Sequence, residues 1–289
     1  MSPSFGRIRL VLSALAGVLL IAAPSSSPAQ DEAPLRATPD GRPLQLVFSD
    51  EFNTFRPWTG RSGTWRTVYG DGSHLGLDRR SLPTNGELQL YVDPDISGPR
   101  GSLGLNPFSL RNGVLSITAV PTPPEVKPIL NNYGYMSGLI TTQPSFAQTY
   151  GYFEMRGRLP GGKGLWPAFW LLPLDQSWPP EIDVMESIGN PSQVFVTTHS
   201  KASKQAGFER RISPDEFHTF AVSWDPMNVI WYIDGREAGR HATPADMHKP
   251  MFMLANLAVG GQWPGAPDAS TRFPATYEID FIRAYRFAR

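Results

Sequence analysis

The run Trp178-Pro-Pro-Glu-Ile-Asp-Val-Met-Glu-Ser187 places three carboxylates, Glu181, Asp183 and Glu186, among apolar neighbours. A carboxylate taken out of water without a partner is costly, so an apolar strand carrying three of them needs a reason for them. In a strand, side chains alternate faces, which puts Glu181 and Asp183 on one side and Val184 on the other. Glu186 is an odd step from Glu181 and would point away from it. One extra residue in a β-bulge restores the parity and returns Glu186 to the side of the other two acids, and bulges are common beside active sites. With the bulge, the two glutamates are about four strand steps apart, roughly 13 Å along the backbone. Strand bending and two long side chains must close that gap. Carboxyl pairs that cleave glycosidic bonds sit about 5–5.5 Å apart in retaining enzymes and about 6.5–9.5 Å apart in inverting ones. The spacing permits either.

Outward from this run the chain reads as all-β. Short alternating segments recur between Gly, Pro and Asn punctuation: Glu87–Tyr91, Val114–Thr118, Tyr152–Arg158, Phe217–Trp224, Val229–Ile233 and Tyr277–Tyr285. Asp234-Gly235 between two such segments suits a type I′ hairpin turn. No long stretch has helical periodicity, and 29 prolines with 27 glycines disfavour helices. Many strands without a repeat period indicate a sandwich or jelly roll. Residues 94–111 and 121–128 read as loops at a cleft edge or on the surface.

Lys plus Arg equals Asp plus Glu at 26 each, so no basic excess argues for nucleic acid and a neutral polymer fits better. Residues 1–29 read as an export signal: Arg7 and Arg9, an apolar run from Leu10 to Ala23, then Ser27 and Ala29 at the −3 and −1 positions. That run is shorter than the ~20 residues of a membrane span. Secretion, or release into a periplasm, is expected, with no membrane association after signal removal. Residues 30–45 read as a linker and 46–289 as one catalytic domain, a monomer by default. The chain has no cysteine, so an exported fold here relies on its core.

Aromatics suited to stacking on sugar rings accompany the acids. Trp166 and Trp170, in Gly164-Leu-Trp-Pro-Ala-Phe-Trp170, share a face if the strand is regular. Trp166 is the candidate platform, with Trp170 divided between core and cleft. Trp263, in Gly-Gly-Gln-Trp-Pro-Gly265, is a candidate subsite residue with Gln262 beside it. Trp224 and Trp231 read as core. No His/Cys/Asp/Glu set has the sequence spacing of a catalytic metal site, and no Gly-x-Ser-x-Gly elbow is present. Two carboxyls in different protonation states, with a third acid tuning them, suit acid-assisted cleavage of a glycosidic bond.

These residues resemble glycoside hydrolase family 16. Glu181-Ile-Asp-Val-Met-Glu186 looks like its bulged E-x-D-x-x-E signature. Phe48–Phe52, Gly151–Arg156, Gly164–Leu172, Val196–His199, Asn256–Gly265 and Glu278–Arg283 resemble further family segments, in order. The resemblance implies a concanavalin A-like β-jelly roll of two curved antiparallel sheets with a sugar cleft on the concave face. It also implies endo-acting cleavage of a β-glycan with retention. Glu181 would be the nucleophile, Glu186 the acid/base, and Asp183 the tuner of the nucleophile. By family position His199 bonds the acid/base or a sugar hydroxyl. Arg156 binds sugar, and Asn85 lies on the non-reducing side of the cleft. The bulged motif resembles the laminarinase-like side of the family, favouring β-1,3-containing glucans. Other segments resemble bacterial enzymes that trim exported polysaccharides. A transglycosylase with the same catalytic residues and a non-catalytic glucan-binding protein are the alternatives. No cofactor is implied. Glu278-Ile-Asp280 repeats half the motif and reads as structural, with Asp280 a candidate ligand for a structural calcium ion.

Overall fold

Alternation in and out of the core builds two sheets that face each other. The computed structural model describes residues 32–70, 72 and 76–288. The expected export signal lies outside them. The strands in chain order are β1 (Leu44–Asp50), β2 (Gln89–Tyr91), β3 (Ser97–Gly98), β4 (Gly101–Ser102), β5 (Phe108–Arg111) and β6 (Val114–Pro121). Then come β7 (Tyr135–Ser137), β8 (Leu139–Thr141), β9 (Gly151–Arg158), β10 (Leu165–Pro173), β11 (Glu181–Glu186) and β12 (Gln193–His199). The last six are β13 (Ala206–Arg211), β14 (His218–Trp224), β15 (Asn228–Ile233), β16 (Arg236–Ala242), β17 (Met251–Val259) and β18 (Ala275–Phe287). The larger sheet has ten strands in the order β16-β15-β14-β9-β18-β6-β7-β2, with β1 beside β18 and β5 beside β6. The second has six, in the order β13-β12-β11-β10-β17-β8. Pairing is antiparallel apart from β2 with β7. This is the all-β jelly roll expected from the sequence.

One core fills the space between the sheets. Phe153 and Met155 of β9, Val222 and Trp224 of β14, and Trp231 of β15 meet Phe169 and Leu171 of β10, Ile182 and Val184 of β11, and Met253 of β17. Each fully buried large apolar side chain stabilises by about 1.5–3 kcal/mol. The expected hairpin is present: Asp234 and Gly235 have φ of 49° and 71°, the paired positive values of a type I′ turn, and Ile233 pairs with Arg236. Among the described residues no helix is long and apolar enough to cross a membrane.

Two boundaries differ from the sequence reading. Of the segment expected to be a linker over 30–45, the described residues 32–45 are fastened to the larger sheet. β1 begins at Leu44, Leu35 N–H donates to Tyr285 Oη at 3.2 Å, and Arg42 meets Asp225 at 2.5 Å. Its backbone groups find partners on β18, which polarity and missing periodicity do not reveal. The expected 94–111 loop contains the β3–β4 hairpin and β5, which extends the larger sheet.

Candidate active site

The three acids of β11 reach one face because the strand bulges. Between Asp183 and Glu186 β11 advances three residues while β12 advances two, from Thr197 to Phe195. Across β10 the same shift falls between Phe169 and Trp170. The bulge turns both Val184 and Met185 into the core beside Ile182, where all three are fully buried. Glu181, Asp183 and Glu186 face outward, onto a cleft of about 900 Å³ on the side of the six-stranded sheet away from the core. Trp231 Nε1–H, from the opposing sheet, donates to the Asp183 carbonyl at 2.8 Å and fixes the backbone there.

Each acid has its own surroundings. Glu186 Oε1 accepts from Trp166 Nε1–H at 2.9 Å, and Glu181 Oε2 accepts from Trp178 Nε1–H at 2.9 Å. His199 pairs with Glu181 across the β11–β12 ladder. Its Nε2 lies 3.2 Å from Asp183 Oδ2 and 3.6 Å from Glu181 Oε1. Of the two expectations for His199, a bond to Glu186 is corrected, since register sets it against Glu181 and Asp183, while its place in the cleft lining leaves it within reach of a sugar hydroxyl. Burial raises all three carboxyls above their ordinary range, and their mutual repulsion adds to it. Glu181 is pushed to about 8, by burial and then by Asp183, with His199 and the Trp178 N–H pulling the other way. Glu186 is pushed to about 7, by burial and then by Glu181, against the Trp166 N–H. Asp183 rises too, through burial and the charge of Glu186.

The cleft walls are aromatic. Trp166, Ala168 and Trp170 line the cleft while Phe169 enters the core, so alternation in β10 survives Pro167. Trp263, 44% exposed, sets its ring edge-on to Trp166 (5.7 Å) and to Phe195 (4.9 Å). Trp170 donates to Asn256 Oδ1 and packs against Tyr69, shared between wall and interior as expected. Asn85 also lines the cleft and donates to Glu87 Oε1. Gln262 does not line it. Its N–H and Nε2 donate to the carbonyls of Asn85 and Thr84, tying two loops together.

Arg156 is a clear correction. It lies on β9 of the larger sheet, where Phe153 and Met155 take the core side and Glu154 and Arg156 the outer side. Its guanidinium pairs with Asp280 and lies 4.8 Å over the Phe217 ring, away from the cleft. That pairing also occupies Asp280, the residue considered for a structural calcium ion. Glu278 is similarly paired with Arg158, so the repeated half-motif is structural. Trp224 and Trp231 are buried in the core as read. Sequence reasoning missed Trp178 as a cleft residue, taking it for an apolar flank. It is 61% exposed and touches Glu181. A tryptophan followed by two prolines immediately before the acids was the available signal. Tyr69 and Phe195 were missed with no comparable signal.

The chain belongs to the glycosyl hydrolases family 16, whose family model matches residues 108–283. It is 44% identical over 255 residues to the endo-1,3-1,4-beta-glycanase ExsH of Rhizobium meliloti, covering 86% of this chain and 53% of that protein. A Rhodothermus marinus beta-glucanase is 33% identical over 84% of this chain and 85% of its own length. The chain spans about half the length of ExsH and of a second R. meliloti endo-1,3-1,4-beta-glycanase, EglC, 43% identical over 84% of this chain. In three dimensions it resembles the laminarinase catalytic domain of Thermotoga maritima with a TM-score of 0.68, at 31% identity, covering 85% of this chain and 99% of that one.

Proposed function

We propose that this chain is an exported, endo-acting glycoside hydrolase. It cuts β-1,3 or mixed β-1,3/1,4 linkages of a glucan or exopolysaccharide by double displacement, as a monomer. The observation that carries the reading is the bulge, which brings Glu181, Asp183 and Glu186 onto the floor of one aromatic-walled cleft. The names of its relatives, glycanases and laminarinases, supply the substrate class. Glu181 attacks the anomeric carbon while Glu186 protonates the departing oxygen. The resulting glycosyl ester on Glu181 is then hydrolysed: Glu186 takes a proton from water as its oxygen bonds to the anomeric carbon and the Glu181 carboxylate leaves, which releases the sugar with its configuration retained. These roles need Glu181 ionised and Glu186 protonated with glycan bound. In the free site both are raised, Glu181 the further, so glycan binding must shift a proton toward Glu186. The Trp178 N–H, which favours charge on Glu181, acts in that direction.

The test is a product assay on laminarin, mixed-linkage β-glucan, agarose, carrageenan and a succinoglycan-type polymer, with the anomer of the first product read by NMR. Short β-configured oligosaccharides from a glucan or from the bacterial polymer are expected. Cleavage with inversion overturns the double displacement. Larger products in which a sugar has replaced water point to transglycosylation. No cleavage of any polymer by folded protein returns the glucan-binding reading.

A further inference from the structure

The fold brings together a donor set that the linear spacing hides. Glu181, Asp183 and His199 each offer one ligand atom, and the three atoms lie within 4.8 Å of one another. His199 Nε2 is 3.2 Å from Asp183 Oδ2 and 3.6 Å from Glu181 Oε1. Zinc bonds of about 2.0–2.2 Å to nitrogen and oxygen give a tetrahedron with edges of about 3.3–3.6 Å. Two of the three edges are thus already near the length an ion needs. A second observation concerns burial: Asp183 Oδ2 belongs to a side chain only 3% exposed and has no hydrogen bond, so that its one close polar neighbour among the donors is His199 Nε2. Glu181 presents Oε1 to this point while its Oε2 is occupied by Trp178.

We propose that Glu181, Asp183 and His199 form a three-donor site for a divalent cation of the zinc class, and that the bound ion blocks the cleft at Glu181. One imidazole with two carboxylates is a donor set zinc accepts, with a fourth position open to water on the cleft side. Calcium takes six to eight oxygens, and both calcium and magnesium prefer oxygen donors, so the His199 imidazole favours zinc over either. Glu186 lies outside the donor set and keeps its Trp166 hydrogen bond. The ion would therefore remove the nucleophile and leave the acid/base untouched. The binding site depends on the donors alone and stands whether or not the chain hydrolyses glycans.

The experiment is calorimetric titration of the untagged chain with ZnCl2, with CaCl2 and MgCl2 as comparisons, and visible absorption with Co2+ substituted for Zn2+. One Zn2+ per chain is expected, with the intense Co2+ bands of a four-coordinate site and no comparable uptake of calcium or magnesium. His199→Gln should weaken binding about tenfold or more, whereas Glu186→Gln, which removes no donor and relieves the repulsion on Asp183, should bind at least as tightly as the wild type. Asp183→Asn gives a second reading should His199→Gln fail to fold. Absence of Zn2+ uptake at millimolar metal, or unchanged affinity in the folded donor variants, overturns the site. On any glycan the wild type cleaves, Zn2+ inhibition should be competitive with substrate, and inhibition independent of substrate concentration overturns the block at Glu181.

Discussion

The Trp166 N–H on Glu186 is a lever on the pH profile. A hydrogen bond to the carboxylate favours the charged form and holds the Glu186 pKa below what burial alone would give. Trp166→Phe removes the donor and keeps most of the ring, so the pKa of Glu186 should rise. In the proposed mechanism Glu186 is the general acid and must be protonated, so the alkaline limb of kcat should move to higher pH. An unmoved limb in a folded variant would place that limb on another group. Glu186→Gln removes the proton donor itself. It should lower kcat about 10²–10⁴-fold, with less loss on aryl glycosides whose leaving groups need no protonation. At this scale the acids were legible because charge in an apolar strand is conspicuous. Trp178 was not, because an indole ring reads equally as core or as platform. Only its 61% exposure and its N–H on Glu181 separate the two.

In β11 the bulge decides whether the site exists, and its parity was readable because three acids in six residues cannot otherwise share a face. Deleting Met185 removes the extra residue and leaves Glu186 an even step from Glu181, so plain alternation keeps all three acids on the cleft face. The deletion forfeits the buried Met185 side chain. A lower melting temperature with residual cleavage is therefore expected, against Met185→Leu, which keeps the bulge and should stay active. Circular dichroism melts with a product assay make the check. Complete loss of cleavage in a folded deletion variant would mean that the bulge sets the spacing of the two glutamates as well as their facing. β9 marks the limit of the same reasoning. Alternation correctly sends Arg156 away from the core, but a sandwich has two outer faces. Nothing in a period of two tells which sheet a strand joins, so alternation could not check the family position that put Arg156 at the cleft, and it lies on the opposite side.

For the molecule as a whole, the two-sheet architecture was legible from strand patterning and from Asp234-Gly235. The attachment of residues 32–43 was not, since it depends on backbone bonds to a strand far along the chain. The whole fold also carries the cost of its site. Glu181 has an ordinary pKa of 4.5 and is raised to about 8, and Glu186 is raised to about 7, each by burial first. Between pH 4.5 and 8 the folded state therefore binds more protons than the unfolded chain, and stability falls as pH rises through that window. The contribution is fully present below 4.5 and gone above 8. Asp225 and Asp234 work oppositely: hydrogen bonds lower them, and their contribution is lost only as pH falls below the ordinary aspartate range. Glu181→Gln keeps the shape, cannot ionise, and relieves the repulsion on Asp183 and Glu186. Its melting temperature should match the wild type near pH 4.5 and exceed it increasingly toward pH 8, by about 2–4 °C for each kcal/mol released. Thermal melts of the two proteins across that range decide it. A constant difference would mean that the site is ionised at no cost to the fold, and that the acids are better solvated than their burial implies.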